Sequence, residues 1–205
     1  MRHGLIGLSA ALLMSMTALT PAIAAPAGTA ALTGQQTPEP ASQASVAKQC
    51  AAMAQAHFGA DVEILSASHV GITPAGAAQP NGPPLTTALP AHCLVRGIID
   101  KRIGAQGKTY GIRFAIALPD NWAGRFLLQG GGGLNGSVNP PIGPVASDGR
   151  PALARGFAVI SDDSGHEGAV FDNSFMADQR AGLDFAETSV RTVAVLGKKI
   201  TQTYY

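Results

Sequence analysis

The chain has 205 residues, a formal net charge of +1 and only 13% charged residues. This length is enough for one domain with a hydrophobic core. The charge balance argues against a nucleic-acid partner, which would require a clustered basic surface. The 25 glycines and 14 prolines predict many turns and loops.

The amino terminus has the pattern of a secretory signal peptide. Residues 1–3 are Met-Arg-His, residues 4–20 form an apolar run, and Ala22-Ile23-Ala24 supplies an A-x-A cleavage signature. We therefore expect residues 1–24 to be removed near Ala24, leaving a secreted or periplasmic protein with no membrane partner. The alternative is an uncleaved anchor, but the apolar run is shorter than the about 20 residues that span a bilayer.

The segment that follows lacks the side chains of a folded core. Residues 25–45 are mostly Ala, Pro, Thr, Gln and Ser. Such a composition buries too little apolar surface to offset the entropy lost on ordering. We predict a flexible leader over residues 25–45 and a single folded domain over residues 46–205.

Cys50 and Cys93 are the only cysteines in the chain. In an exported protein such a pair is expected to form a disulfide. The bond would close a loop of about 43 residues, worth about 4 kcal/mol in the chain-entropy model. The alternative, a reactive thiol, finds no support, since neither cysteine has a CxxC partner or a neighbouring cationic cluster.

Hydrophobic patterning predicts an α/β fold with a mixed sheet and flanking helices. Strands are predicted at residues 61–66, 93–99, 110–118, 125–129 and 156–161. Helices are predicted at residues 51–58, 151–155 and 179–204. The last helix carries an apolar stripe of Phe185, Val193, Leu196, Ile200 and Tyr204. Loops or turns are predicted at residues 74–90, 104–107 and 119–124. The strands at 125–129 and 156–161 are apolar enough to predict burial on both faces.

Four consecutive glycines follow the strand at residues 125–129, where ligands bind in sheets of this class. Gly131 to Gly136 matches G-x-G-x-x-G, but Asn139-Pro140-Pro141 prevents the helix that a dinucleotide fingerprint requires. A phosphate-binding P-loop fails as well, because no Gly-Lys-Ser/Thr follows. Two interpretations remain: a tight structural turn, or a loop whose bare N–H groups stabilise an oxyanion.

A second polar segment, Asp162-Asp163-Ser164-Gly165-His166, follows the strand at residues 156–161. A catalytic base at His166 and a metal site formed by Asp162, Asp163 and His166 are both conceivable from composition. Residues this close in one turn usually point in divergent directions, and no H-E-x-x-H spacing is present. We therefore expect Asp163 and His166 to hold the loop, and no metal to bind here.

Three blocks, in order, resemble the tannase/feruloyl esterase family, which includes the mono(2-hydroxyethyl) terephthalate hydrolases. They read W-A-G-R-F-L-L-Q-G-G-G-G-L-N-G (122–136), A-L-A-R-G-F-A-V-I-S-D-D-S-G-H (152–166) and D-F-A-E-T-S-V-R-T-V-A-V-L-G-K (184–198). The resemblance implies a secreted serine esterase with an α/β-hydrolase fold, acting on small feruloyl, galloyl or terephthaloyl esters. The Cys50–Cys93 pair also fits the amino-terminal disulfide of that family.

The resemblance assigns the oxyanion contact to Gly132, with Gly131 and Gly133 allowing close approach and Asn135 near the substrate. It also implies a nucleophile in G-C-S-x-G-G, a later catalytic Asp and His, and calcium in a lid domain. None of these elements occurs in the 205 residues, and no G-x-S-x-G is present. We therefore expect the amino-terminal part of an esterase, which holds no triad and no cofactor and is inactive alone.

Two other interpretations of the sequence stay open. The chain could be a non-catalytic secreted domain that binds a ligand through the same glycine loop. It could also be an inactive fragment, because a sheet that lacks its nucleophile strand presents an uncovered edge.

Overall fold

The computed structural model describes residues 43–79 and 83–205. The predicted signal peptide at residues 1–24 and nearly all of the predicted leader lie outside the described residues. Over the two described ranges, no helix has the length and apolar character needed to cross a bilayer.

Five strands form one mixed sheet. They are β1 (Val62–Val70), β2 (His92–Ile103), β3 (Thr109–Pro119), β4 (Arg125–Gln129) and β5 (Phe157–Asp162), arranged in the order β1-β2-β3-β5-β4. All pairs are antiparallel except β4 with β5, which is parallel. The five predicted strands and the hairpin between β2 and β3 are confirmed, although β1 and β2 run further than their patterns indicated.

The first helix, α1 (Gln43–Ala52), begins earlier than predicted. Its Gln, Ala and Lys residues are good helix formers, so helix extends back into the end of the segment predicted as leader. The prediction of a helix over residues 51–58 is wrong beyond Gln55, because a 3-10 turn at Met53–Gln55 ends with Ala56 in an extended conformation. The chain then places Phe58 in the core.

The helix predicted at residues 151–155 is a 3-10 turn, Leu153–Arg155, which ends at Gly156 with φ +77°. The helix predicted at residues 179–204 forms in three parts. These are α2 (Gln179–Leu183), a π-helical turn at Asp184–Thr188 and α3 (Ser189–Tyr204). A π-helical turn changes the direction in which preceding side chains point.

The predicted apolar stripe is therefore divided. Val193, Leu196, Ile200 and Tyr204 are buried in the main core, which α3 and the disulfide-linked α1 share with one face of the sheet. Phe185, the second residue of the π-helical turn, packs instead in a separate cluster around Tyr110, Phe175 and Ala181. The predicted disulfide is confirmed, with the Cα atoms of Cys50 and Cys93 5.4 Å apart.

Strand β4 is less buried than predicted. Arg125 is exposed and the other four residues are only half-buried, whereas β5 is almost entirely buried as expected. The reason is position, since β4 is an outer strand of the described sheet and pairs only with β5. Its Phe126 packs against Gly197 of α3, where a Cβ atom would lie 2.7 Å from the Phe126 ring.

Candidate functional site

The glycine loop leaves the carboxyl end of β4, beside the end of the parallel strand β5. Two of its glycines are required by the fold. Gly133 and Gly136 have φ values of +59° and +86°, a region that side-chain-bearing residues rarely adopt. A Cβ atom would also lie 2.7 Å from the Val170 carbonyl oxygen at Gly133 and 2.6 Å from that of Gly168 at Gly136.

Backbone hydrogen bonds join the glycine loop to the segment after β5. Leu134 N donates to Val170 O at 2.8 Å, and Gly168 N donates to Gly136 O at 3.0 Å. Gly136 N in turn donates to Asp163 O at 3.2 Å. These bonds hold the two loops in a fixed relation at the same end of the sheet.

Asn135 is the side chain that fastens this junction. It is buried, adopts φ +53°, and its amide nitrogen donates to Asp162 O at 2.8 Å and to Ser164 Oγ at 3.0 Å. Its amide group also occupies the space that a side chain at Gly131 would need. The structure therefore places Asn135 between the two loops, a role that the sequence pattern did not reveal.

At two other positions of the loop, 130 and 132, neither packing nor backbone conformation requires a glycine. Gly130 and Gly132 are exposed, have no positive φ, and would meet no atom within 4 Å of an added Cβ. The N–H groups of Gly131, Gly132 and Gly133 donate no hydrogen bond to any residue that the structure describes. Free N–H groups on a braced, exposed backbone can receive an oxygen that gains negative charge during a reaction.

Asp163 stabilises the second loop, the segment that follows β5, from its buried side. Its Oδ1 atom accepts hydrogen bonds from Gly165 N at 2.9 Å and from Arg113 N at 3.0 Å, and Oδ2 lies 3.4 Å from the Arg113 guanidinium. Burial raises the pKa of Asp163 to about 7, which outweighs the opposing effect of these three partners. Burial also raises the pKa of the neighbouring Asp162.

The raised pKa predicts how stability depends on pH. Because the folded state holds the Asp163 proton more tightly than the unfolded state, the ionised carboxylate destabilises the fold above pH 7, and this cost disappears as pH falls toward 4. We expect the free energy of unfolding of the wild type, relative to Asp163→Asn, to be higher at pH 5 than at pH 9. Urea unfolding of both proteins across this range measures the difference.

Taking the difference in the free energy of unfolding between the wild type and Asp163→Asn cancels the contributions of the other titrating groups. Burial lowers the pKa of His92 and His166, so both destabilise the fold on acidification below about pH 6.5, but they do so in both proteins. A difference that stays constant from pH 5 to pH 9 would contradict the assignment to Asp163.

His166 is buried in an aromatic cluster. Its ring stacks on Phe175 with centroids 3.6 Å apart and meets the edge of Phe185 at 6.1 Å. Neither ring nitrogen makes a hydrogen bond to any described residue. Burial lowers its pKa, against the weaker influence of nearby Ser164 and Leu134 backbone groups and the Asp172 carboxylate. Ser164 Oγ is instead a partner of Asn135, so Ser164 and His166 do not form a hydrogen-bonded Ser–His pair.

The described residues also offer no metal centre. Within residues 43–79 and 83–205, no three His, Cys, Asp or Glu side chains are grouped so that they could hold an ion.

In α/β-hydrolases a glycine-rich loop after an early strand supplies one of the N–H groups that bind the oxyanion. Residues 95–205 match the profile of the family described as tannase and feruloyl esterase, and the chain belongs to this family. The crystal structure of feruloyl esterase B from Aspergillus oryzae is similar, with a TM-score of 0.58 and 27% identity, over 78% of this chain and 30% of that one. The predicted α/β-hydrolase fold is confirmed.

Two curated relatives are also ester hydrolases by name. The mono(2-hydroxyethyl) terephthalate hydrolase of Piscinibacter sakaiensis is 40% identical over 126 residues, covering 58% of this chain and 21% of the relative. A probable feruloyl esterase B-2 of Aspergillus flavus is 38% identical over 90 residues, covering 44% of this chain and 16% of the relative. The chain thus matches about a fifth or less of the length of these relatives.

Proposed function

We propose that the protein hydrolyses small esters of aromatic carboxylic acids, of the feruloyl, galloyl or terephthaloyl type, and that the glycine loop supplies part of its oxyanion hole. The observation that carries the proposal is Gly132. It is exposed, its N–H group has no acceptor among the described residues, and neither packing nor backbone conformation requires a glycine there.

The chemistry of ester hydrolysis explains such a residue. Attack of a serine hydroxyl on the ester carbonyl converts the carbonyl oxygen into an oxyanion, and the bond to the alcohol breaks when this tetrahedral intermediate collapses. A backbone N–H that already points at the oxyanion stabilises it without reorganisation. Gly131 and Gly133 keep side chains away on either side of Gly132.

The other catalytic groups are proposed to lie outside these 205 residues. No G-x-S-x-G occurs in the sequence, and the matched region is only a small part of each curated relative. The serine, the aspartate and the histidine of the triad, and any calcium site, would come from another part of the protein. The 205 residues alone would therefore be inactive.

The proposed location is the periplasm or the extracellular medium. The Cys50–Cys93 disulfide favours an oxidising compartment. The signal-peptide pattern at residues 1–24 supports export and lies outside the described residues.

Replacing Gly132 with valine tests the proposal. In protein made from the complete coding sequence, kcat for ethyl ferulate should fall about 100-fold or more, because the branched side chain would stand beside the N–H group and keep the ester oxygen away from it, which has the same effect as losing one oxyanion donor. The melting temperature should stay unchanged, because a side chain at residue 132 points into open space. Steady-state kinetics and thermal unfolding measure both.

Gly71→Val is the matched control, since Gly71 is also exposed, has no positive φ and would meet no atom within 4 Å. It lies just after β1, at the opposite edge of the sheet from β4. It should alter neither kcat nor melting temperature. Full turnover of ethyl ferulate by Gly132→Val would refute the oxyanion role of Gly132.

A further inference from the structure

Phe171 is the most exposed large hydrophobic residue among those the structure describes, with 83% of its surface accessible. Isolated exposed apolar side chains are common and need no explanation by themselves. The position of Phe171 is what distinguishes it, because its ring lies against the glycine loop. The Cε1 atom is 3.5 Å from the point where a Cβ atom of Gly133 would be.

Hydrogen bonds fix the backbone of the turn that carries Phe171. Gly168 N and Val170 O, which lie before Phe171, make two of the hydrogen bonds that join the segment after β5 to the glycine loop. Immediately after it, Asp172 N donates to Ala169 O at 2.9 Å, and Asp172 Oδ1 accepts from Ser174 N at 2.9 Å. The Phe171 backbone is therefore fixed beside the glycine loop, within reach of which the ring lies.

We propose that Phe171 is a specificity residue of this site, whose ring packs against the aromatic acyl group of the ester. The inference rests on the proposed function. Gly133 lies against the Phe171 ring, and Gly132, the next residue, carries the free N–H, so the two features are one residue apart. An ester whose carbonyl oxygen binds the Gly132 N–H thereby brings its acyl group close to the ring.

The chemistry of the ring selects the acyl group. Aromatic rings pair in offset-stacked or edge-to-face arrangements with centroids about 4.5–7 Å apart, and such pairs are stronger than contact area alone predicts. A short aliphatic acyl chain gains none of this and buries less surface. The Phe171 ring should thus favour aromatic over aliphatic esters of the same alcohol.

Phe171→Ala, in protein made from the complete coding sequence, tests this with ethyl ferulate and ethyl butanoate. We expect kcat/KM for ethyl ferulate to fall about 10-fold, mainly through KM, and that for ethyl butanoate to change less than about 2-fold. Phe171→Tyr keeps the ring and should retain the wild-type preference. Ile72→Ala removes a side chain of 72% exposure in the loop after β1, and it should change kcat/KM for neither ester.

Three outcomes would overturn the proposal. An equal loss for both esters, with a lower melting temperature, would mean that Phe171 packs against another part of the protein. An unchanged ratio of the two kcat/KM values with normal stability would also refute it, while leaving the proposed function intact. Failure of the wild type to hydrolyse either ester would refute the proposed function and this inference together.

Discussion

Replacement of both Cys50 and Cys93 by alanine is expected to lower the free energy of unfolding by about 4 kcal/mol. The bond closes a loop of 43 residues, and removing it returns that loop-closure entropy to the unfolded chain. Both cysteines are fully buried, so small voids add to the loss. Urea unfolding, read from midpoint and slope, measures the change.

The amino-terminal helix should suffer most from this change. Cys50 is the only residue of α1 that is buried, and a hydrogen bond from Gln49 Nε2 to Tyr204 O also holds the helix. Hydrogen exchange should therefore show loss of protection concentrated in α1. Wild-type protein reduced with dithiothreitol is the control, since it lacks the bond but keeps both side chains. A loss below about 1 kcal/mol in both proteins would contradict the prediction.

The sequence predicts those parts of the fold that depend on local pattern. Apolar runs bounded by turn residues located all five strands, and two cysteines in a chain predicted to be exported indicated one disulfide bond. The exposure of β4 could not be predicted in this way, because burial depends on whether a neighbour covers each edge and face. RFLLQ contains the same apolar residues whether it lies in the middle of a sheet or at its border.

The division of the last predicted helix into three parts could not be predicted from the sequence either. The spacing of Phe185 and Val193 suits one continuous helix, yet a π-helical turn at Asp184–Thr188 directs Phe185 into a different cluster. The turn accompanies a tertiary contact rather than a local preference. Asp184 is held by two arginines, and Gly165 of the second loop packs against its Cβ, where an added Cβ would approach to 2.6 Å.

In the candidate site, the glycine run was visible from sequence but its internal differences were not. Gly133 and Gly136 are required by φ and by close backbone contacts, whereas Gly132 is not. The same residue type is therefore required by the fold at one position and not at its neighbour, although the N–H groups of Gly132 and Gly133 both lack an acceptor among the described residues. The bridging role of Asn135 and the stacking of His166 on Phe175 also arise only after distant segments meet.

The second large effect is expected for Asp184→Asn, which should lower the free energy of unfolding by about 2–3 kcal/mol. The Asp184 carboxylate is 1% exposed and accepts from Arg102 Nη2 at 2.8 Å and from Arg180 Nε at 3.3 Å. An asparagine of the same shape removes the charge and turns an amide donor toward one guanidinium. The cost stays below that of a fully buried pair because Arg180 is half exposed and remains hydrated.

Asp100→Asn provides the matched control, because Asp100 contacts the same two arginines but is 41% exposed. Asparagine also tolerates the φ of +50° at residue 100. This variant should lose less than about 1 kcal/mol, and added salt should remove most of that loss, since exposed ion pairs are screened. The loss in Asp184→Asn should persist in salt. Equal losses in the two variants would show that burial of Asp184 contributes nothing, and that the arginines act only as a surface network.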